Sequence, residues 1–393
     1  MRIRLALLPL AALLLTPGIA LAAPPEADAG SLRGTGTGGP RATPSAPPAL
    51  DAVVALGDSL TSGEGAGNYH DGANPDCHRS ADAQLAAARI PGTNVVNLAC
   101  SGAETADVLV RGQGGEKPQI QALREAAAQY RIRLVLVTVG ANDVGFTEIV
   151  TDCAVGYALS TASCKDEWTP KVTERLTALR PRLDSVLAQV RGVLTDTGQS
   201  DARVVLQSYP SPLTVHNRWD SRFSRVVHGC PFHDDDAAWG RGTFVPLLAA
   251  TMRGAAQTAG VDFLDLTAAM DDREVCSPGD EPKWTRGISI RLKEDGSPEW
   301  TGFRGGEPDT RAGGASGSGR AGGPRGSGQV GEAGAVDGDP EGVISRESLH
   351  PNQLGHAMLG QCLAGYWAHL TSGVCHRQPD GLRFLAVPIT GAP

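Results

Sequence analysis

The chain has 393 residues, a formal net charge of −8 and 41% hydrophobic residues, with a sequence pI near 5.6. This acidic balance, with no cluster of basic residues, argues against nucleic acid as a partner. No apolar run of about 18 residues occurs beyond the N-terminal region, so we expect no stable membrane anchor.

The first 22 residues have the pattern of a secretory signal peptide. Arg2 and Arg4 precede an apolar run at residues 5–15, and the small-residue triplet Ala20-Leu21-Ala22 follows. This order of a basic start, a short apolar segment and small residues is typical of a cleaved signal. We therefore expect the protein to be exported and released.

Two further segments have too few large apolar side chains to form a core. Residues 23–50 are rich in Pro, Gly and Ala, and residues 304–340 are rich in Gly. Such compositions are typical of disordered chain. We therefore predict a disordered leader at 23–50, one folded domain at 51–376 with a disordered insertion at 304–340, and a C-terminal tail at 377–393.

Short apolar runs alternate with longer segments of helical spacing along the folded domain. The runs predict strands at residues 53–56, 94–98, 134–139, 203–207 and 261–266, and the spacing predicts helices over 117–130, 172–194, 243–259 and 353–370. Pro181 is expected to kink or split the second of these helices. The alternation favours an α/β fold with a parallel sheet covered by helices on both faces.

Three of the predicted strands are followed by small polar turns. Ser59 lies in GDSL after the first strand, Gly102 in ACSGAE after the second and Asn142 in GANDVGF after the third. Sites in open α/β sheets form at the carboxyl ends of the strands. A serine hydroxyl, two backbone N–H groups and a side-chain amide are together what acyl transfer needs in a nucleophile and in oxyanion donors.

The base required by such a serine is assigned to His350 among the nine histidines. Pro351 follows it, disfavours a helical conformation at His350 and suits the start of the next helix. This places His350 in a loop where an imidazole can face a cleft. His356 lies within the following helix and is expected to be packed or solvated.

The four segments resemble the four signature blocks of the SGNH, or GDSL, hydrolase family. The sequences LACSGAETADV, CHRSA and VGANDVGF resemble those of its secreted actinobacterial branch. The resemblance implies a three-layer α/β/α sandwich with a flavodoxin-like, five-stranded parallel sheet. It implies that Ser59 is the nucleophile and His350 the base. Ser59, Gly102 and Asn142 would form the oxyanion hole, with no metal and no cofactor.

The last block departs from the usual D-x-x-H of the family. Glu347 stands where the family has an aspartate that orients the histidine. Glu347 is our candidate for the orienting group, with a backbone carbonyl as the alternative, since some secreted relatives use one. We assign Asp143, next to Asn142, a structural role.

Eight cysteines, an even number in an exported chain, predict disulfides rather than zinc ligands. Spacing alone does not choose among the possible connectivities, and we favour pairs of neighbours because each closes a local loop. The favoured pairs are Cys77–Cys100, Cys153–Cys164, Cys230–Cys276 and Cys362–Cys375. The family resemblance implies the first three pairs and makes the fourth an addition.

These observations predict a secreted, monomeric serine esterase or lipase that acts on a small-molecule or lipid ester. No G-x-S-x-G elbow occurs, which excludes the α/β-hydrolase fold. A carbohydrate O-deacetylase with the same site is the alternative enzyme, and a non-catalytic secreted binding module is the alternative from another class.

Overall fold

The computed structural model describes residues 50–70, 74–159, 161–289 and 344–387. The predicted signal peptide at 1–22, the leader at 23–50 apart from its last residue, and the insertion at 304–340 lie outside the described residues.

The described residues form strands and helices in alternation. The strands are β1 (Leu50–Gly57), β2 (Asn94–Asn97), β3 (Tyr130–Thr138), β4 (Arg203–Gln207), β5 (Asp262–Asp265), β6 (Gly373–Gln378) and β7 (Gly381–Ala386). The helices are α1 (Ser59–Ser62), α2 (Gln84–Ala87), α3 (Gln119–Gln129), α4 (Phe146–Ala158), α5 (Lys165–Asp196), α6 (Arg222–Val227), α7 (Asp234–Trp239), α8 (Val245–Ala259) and α9 (Gln353–His369). A 3₁₀ turn at Pro75–Cys77 and π-helical turns at Asp107–Arg111 and Gly240–Phe244 complete them.

The strands form one sheet in the order β2-β1-β3-β4-β5-β6-β7. Pairing is parallel from β2 to β6, and β7 is antiparallel to β6. The first five strands are those predicted, in the doubly wound order 2-1-3-4-5. In this order the chain reverses direction across the sheet between β1 and β3, where such folds bind their ligands.

The prediction of five strands was wrong, because β6 and β7 add a hairpin at the edge of the sheet. Residues 373–378 read GVCHRQ and alternate between buried and more exposed positions, so they contain no continuous apolar run. The sheet also continues to Ala386, past the boundary placed at residue 376, and the predicted tail at 377–393 therefore includes strand residues.

Both faces of the sheet are covered by apolar side chains. Val54 and Leu56 of β1 pack in one cluster with residues of α3, α5 and α8. Val53 and Ala55 point to the other face and pack in a second cluster with residues of α2 and α9. Because successive strand residues face opposite sides, a strand buried on both sides must be apolar at every position. Burial of each large side chain contributes about 1.5–3 kcal/mol.

Helix α5 continues through Pro181, so of the two predicted outcomes, a kink or a split, the split is excluded. A proline inside a helix removes one hydrogen bond and costs about 3 kcal/mol. Leu179 and Leu183 are fully buried on either side of Pro181, and this packing holds the helix together across it. No helix in the described part of the chain, α5 included, is long and apolar enough to cross a bilayer.

Four disulfides link the cysteines in the neighbour pairs favoured above: Cys77–Cys100, Cys153–Cys164, Cys230–Cys276 and Cys362–Cys375. The described residues include no free cysteine. Closing a loop with a disulfide stabilises a fold by typically about 2–4 kcal/mol. The first pair fastens the segment before Gly102 to the 3₁₀ turn that contains Cys77.

Candidate active site

Ser59 begins helix α1 directly after β1. The preceding Asp58 caps this helix, since its carboxylate accepts a hydrogen bond of 3.1 Å from the Leu60 N–H. The Asp58 N–H donates to the carbonyl of Thr138 at the end of β3, at 3.0 Å. The turn is thereby fixed between the carboxyl ends of β1 and β3, with the Ser59 side chain partly exposed.

Tyr209 connects this turn to the loop after β3. Its hydroxyl donates to Asp58 Oδ2 at 2.5 Å and accepts from the Ala141 N–H at 3.2 Å. Burial raises the pKa of Asp58 to about 7, against the lowering effect of the hydrogen bond from Tyr209. Tyr209 therefore sets both the environment of Asp58 and the position of the Asn142 loop.

His350 lies beside Ser59, although 291 residues separate them in the chain. Its Nε2 is 2.7 Å from Ser59 Oγ, and its Nδ1 is 3.1 Å from the carbonyl oxygen of Ser348. A carbonyl can only accept, so in the neutral ring Nδ1 carries the proton and donates to Ser348. Nε2 is then free to accept the proton of the Ser59 hydroxyl.

Burial lowers the pKa of His350 below its ordinary value. The negative charge of Glu64 and the carbonyl of Ser348 act in the opposite direction and raise it. With a pKa below the ordinary value, His350 is neutral at neutral pH. The neutral form is the one that can take a proton from a serine.

The Glu347 carboxylate makes no hydrogen bond to the His350 ring, whose Nδ1 bonds to the Ser348 carbonyl instead. The carboxylate accepts a hydrogen bond from the Tyr69 hydroxyl at 2.6 Å and pairs with Arg286 Nη1 at 3.1 Å. The chain turns tightly here, with a hydrogen bond from the His350 N–H to the Glu347 carbonyl. This turn directs the Ser348 carbonyl to the ring, in the manner of the alternative given above.

Two backbone donors face the cleft near Ser59. Among the described residues, the N–H groups of Ser59 and Gly102 have no hydrogen-bond acceptor. Gly102 has a φ of +80°, a conformation that glycine adopts without strain. The space around it is open, so this backbone conformation, rather than the close approach of another chain segment, accounts for glycine here.

Asn142 supplies a third donor. Its Nδ2 donates to the carbonyl of Ala103, next to Gly102, at 2.9 Å. A side-chain amide has two N–H groups, so the second remains for a ligand. Ser59, Gly102 and Asn142 line the same cleft and are called the oxyanion side below. Residues 344–352, which carry His350, are called the base segment.

Asp143 joins two of the loops of the oxyanion side. Its buried carboxylate accepts from the Thr105 N–H at 2.9 Å and from the Thr105 hydroxyl at 2.5 Å. Arg182 of α5 lies 3.2 Å from the same carboxylate. Asp143 thus fastens the segment after Gly102 to the loop of Asn142, which is the kind of structural role predicted for it.

The cleft has a volume of about 230 Å³ and a mainly apolar lining. Ser59, Gly102, Asn142 and His350 are among its polar lining residues, together with Arg346. The rest of the lining is mainly apolar and includes Phe146, Val150, Pro212, Phe244, Leu248 and Leu349. A second cavity of about 30 Å³ shares Phe146 and Phe244 and extends to Trp239. An apolar cleft with a few converging polar groups is the usual form of a small-molecule site.

One group of potential metal ligands occurs among the described residues. Cys153, Cys164 and Asp236 bring their ligand atoms within 4.8 Å of one another. The two sulfurs form a disulfide, which provides no thiolate. Asp236 already accepts hydrogen bonds from Ser163 and from the Lys165 N–H. This group is therefore structural.

Sequence reasoning missed the phenol of Tyr209 and the carboxylate of Glu64, and it allowed for a backbone carbonyl without identifying Ser348. Glu64 is fully buried. The sequence carries a signal for Glu64, since it is an acidic residue in the small-residue stretch GDSLTSGEG, five positions after Ser59. No local pattern distinguishes Ser348 or Tyr209.

Comparisons with known proteins identify a family that matches this chain. The family model of the GDSL-like Lipase/Acylhydrolase family matches residues 55–286. The matched range contains Ser59, Gly102 and Asn142 and ends before His350. It covers more than half of the chain.

Two curated relatives are lipases from Streptomyces. Lipase 1 of Streptomyces coelicolor is 34% identical over 180 residues, which are 44% of this chain and 58% of that protein. A lipase of Streptomyces rimosus is 33% identical over 159 residues, which are 40% of this chain and 52% of that protein. The chain thus spans just over half the length of these relatives. Among solved structures, phospholipase A1 from Streptomyces albidoflavus NA297 is 28% identical and has a TM-score of 0.46, over 64% of this chain and 92% of that one.

Proposed function

Since the chain belongs to the GDSL-like lipase/acylhydrolase family, we propose that it is a secreted serine hydrolase of carboxylic esters. The observation that carries this proposal is the 2.7 Å hydrogen bond between Ser59 Oγ and His350 Nε2 in a mainly apolar cleft. The helices on both faces of the sheet also support the three-layer α/β/α arrangement implied by the family.

The reaction begins when Ser59 Oγ attacks the ester carbonyl carbon and His350 Nε2 accepts its proton. A new C–O bond forms, and the carbonyl oxygen becomes an oxyanion. His350 then donates the proton to the leaving alcohol as the ester bond breaks, which leaves Ser59 acylated. Water attacks this acyl enzyme by the same steps, with His350 again as the base.

The oxyanion is stabilised by the N–H groups of Ser59 and Gly102 and by the amide of Asn142. These groups are fixed before substrate binds, since Asp58 caps the Ser59 turn and Asp143 joins the other two loops. Donors that need no rearrangement stabilise the charge that develops in the transition state more than they stabilise the substrate. The Ser348 carbonyl keeps His350 in the tautomer that the first step requires.

The lining of the cleft supports an acyl group larger than acetyl. Phe146, Val150, Phe244 and Leu248 line the same cleft as Ser59, so they can contact the acyl chain of a Ser59-bound ester. Burial of each methylene there would contribute about 0.8 kcal/mol. We therefore propose esters of apolar fatty acids as substrates. The predicted signal at residues 1–22 and the four disulfides support an extracellular location.

A series of p-nitrophenyl esters from acetyl to palmitoyl tests this proposal with the mature, oxidised protein. We expect kcat/KM to rise beyond acetyl, and Ser59→Ala to lower it by at least about 10⁴-fold. Ser185→Ala on the exposed side of α5 is the matched control and is expected to keep full activity.

Labelling by an alkyl fluorophosphonate complements the kinetics, because it needs nucleophilic attack but no turnover. The wild type should be labelled at Ser59 and the Ser59→Ala variant should not. A folded wild type that is neither labelled nor active on any chain length would contradict the proposal and favour a binding module. Activity confined to acetylated sugars would favour the deacetylase.

A further inference from the structure

A second carboxylate lies close to the base, from a part of the chain distant from Glu347. Glu64 follows α1 and is the acidic residue of the GEG sequence after the nucleophile. Its side chain is completely inaccessible to solvent. A buried charge is retained only where hydrogen bonds and opposite charges compensate its lost hydration.

The Glu64 carboxylate is hydrogen-bonded to the segment that carries Gly102, on the oxyanion side of the cleft. Its Oε2 accepts a hydrogen bond of 2.7 Å from the Ser101 hydroxyl, and Ser101 immediately precedes Gly102. Its Oε1 lies 2.9 Å from His78 Nδ1, next to the Cys77–Cys100 disulfide, and 3.4 Å from the Tyr69 hydroxyl. The carboxylate thus fixes the segment that presents the Gly102 N–H.

The same stretch of chain packs on the base segment at its other side. Gly65 has a φ of +86°, and a Cβ built there would lie 3.0 Å from the Cβ of His350 and 2.5 Å from the carbonyl oxygen of Pro351. The Glu64 carbonyl accepts from His356 Nε2 at 3.0 Å. Arg286 Nε donates to the Gly65 carbonyl at 2.6 Å, while the Arg286 N–H donates to the His350 carbonyl at 2.9 Å.

Among the described residues, no hydrogen bond joins the Glu64 carboxylate to the His350 ring, so the charge of Glu64 acts on this ring through space. Burial alone would raise the pKa of Glu64, but the hydrogen bond from His78 and the charges of His350 and His78 hold it below its ordinary value. Glu64 is therefore ionised at neutral pH. Its charge is the largest of the effects that raise the pKa of His350.

The remaining titratable groups around the two residues have smaller or indirect effects. Glu347 also raises the pKa of His350, but less than Glu64 does, and its charge is paired with Arg286. Burial lowers the pKa of His356 to about 4, so this ring is neutral. Burial also raises the pKa of the Tyr69 phenol, which stays protonated.

We propose that Glu64 is a positioning residue that stabilises the protonated form of His350 during acyl transfer and holds the Ser101–Gly102 segment against it. It supplies the negative charge that the D-x-x-H aspartate supplies in the usual family pattern, from the nucleophile block rather than from the histidine block. The inference rests on the proposed function, because His350 becomes protonated in the reaction when it accepts the proton of Ser59.

The test compares the wild type with Glu64→Gln, which keeps the size and the hydrogen-bonding oxygen but removes the charge. The pKa of His350 is measured from the NMR shift of its ¹³Cε1–H group, assigned by its loss in His350→Asn. We expect the pKa to fall by about one unit and kcat for an ester substrate to fall about tenfold, with KM nearly unchanged. Glu116→Gln is the matched control, since it removes a half-exposed carboxylate paired with Arg79, outside the cleft lining, and should shift neither quantity.

An unchanged pKa of His350 in folded Glu64→Gln would overturn the inference. The NMR titration requires no turnover, so a shifted pKa in a protein without esterase activity would support the coupling and contradict the proposed function instead. Should Glu64→Gln fail to fold, the wild type supplies the test through the carboxyl ¹³C resonance of Glu64. The chemical shift of this resonance should show a titration step at the pKa of His350, and the step should disappear in His350→Asn. A wild type whose Glu64 resonance shows no such step would overturn the inference.

Discussion

The two sides of the cleft are built in different ways. On the oxyanion side, Ser59, Gly102 and Asn142 follow three neighbouring strands of the sheet, β1, β2 and β3. The base segment belongs to no strand or helix until α9 begins at Gln353. It is held by hydrogen bonds with Arg286, a residue 64 positions before His350, through the Leu349 N–H and the His350 carbonyl.

This difference explains which features a sequence motif can specify. The carboxyl ends of neighbouring parallel strands lie side by side at one edge of the sheet. Residues that directly follow such strands are therefore predicted to lie close together in space. The base segment takes its shape from contacts that no local pattern encodes, and Leu349 there has a φ of +63°, which is rare for a bulky residue. The following predictions test whether the oxyanion side is set locally and the base segment by distant contacts.

The largest effect is expected at the oxyanion side. Asn142→Ala should lower kcat for a p-nitrophenyl ester by about 10²–10³-fold, because one preorganised donor to the oxyanion is lost. KM should change little, since the donor acts mainly in the transition state. Steady-state kinetics with Asn94→Ala, an exposed residue at the start of β2, as control would check this. A loss of less than threefold would show that Asn142 is not an oxyanion donor.

A smaller effect on the same side is expected at Asp143. Asp143→Asn replaces the carboxylate that accepts hydrogen bonds from Thr105 and pairs with Arg182 by a neutral amide. The Gly102 and Asn142 loops should then shift relative to each other, and kcat should fall about tenfold. Arg182→Gln removes the half-exposed partner and should have a clearly smaller effect on kcat. Equal losses in the two variants would assign the effect to the ion pair rather than to the Thr105 contact.

The base segment is tested by pH. Burial lowers the pKa of His350, and its neutral form is the base of the proposed reaction, so protonation should abolish ester hydrolysis at a lower pH than for an ordinary histidine. The plot of kcat/KM against pH should therefore fall on its acidic side with an apparent pKa below 6.5. An apparent pKa at or above 6.5 would mean that nearby carboxylates outweigh burial at this ring.

The smallest effect is expected at Glu347. Glu347→Gln removes a carboxylate that contacts Tyr69 and Arg286 but makes no hydrogen bond to His350, so kcat should fall less than about threefold. The ester assay and a thermal melt would be measured together. A loss of 10²-fold or more in the folded variant would restore Glu347 as the orienting group.

Most of the framework could be predicted from local signals. Apolar runs located β1 to β5, and the polar turns after three of them located Ser59, Gly102 and Asn142. Strands β6 (GVCHRQ) and β7 (GLRFLA) were missed because neither contains an apolar run longer than three residues. Helix α5 continues through Pro181, on either side of which leucines are buried.

The sequence by itself determined the order of the first five strands and the polar turns that follow three of them, because each depends on residues close together in the chain. It favoured the neighbour pairing of the cysteines without excluding the other connectivities. The tertiary structure alone decided which group bonds to His350 Nδ1 and which buried carboxylate lies in the segment packed on the base segment. The Ser348 carbonyl is only two residues from His350, but residue identity does not record the direction in which a backbone carbonyl points. The Glu64 segment contacts the base segment and α9 only through folding, since 292 residues separate Glu64 from His356.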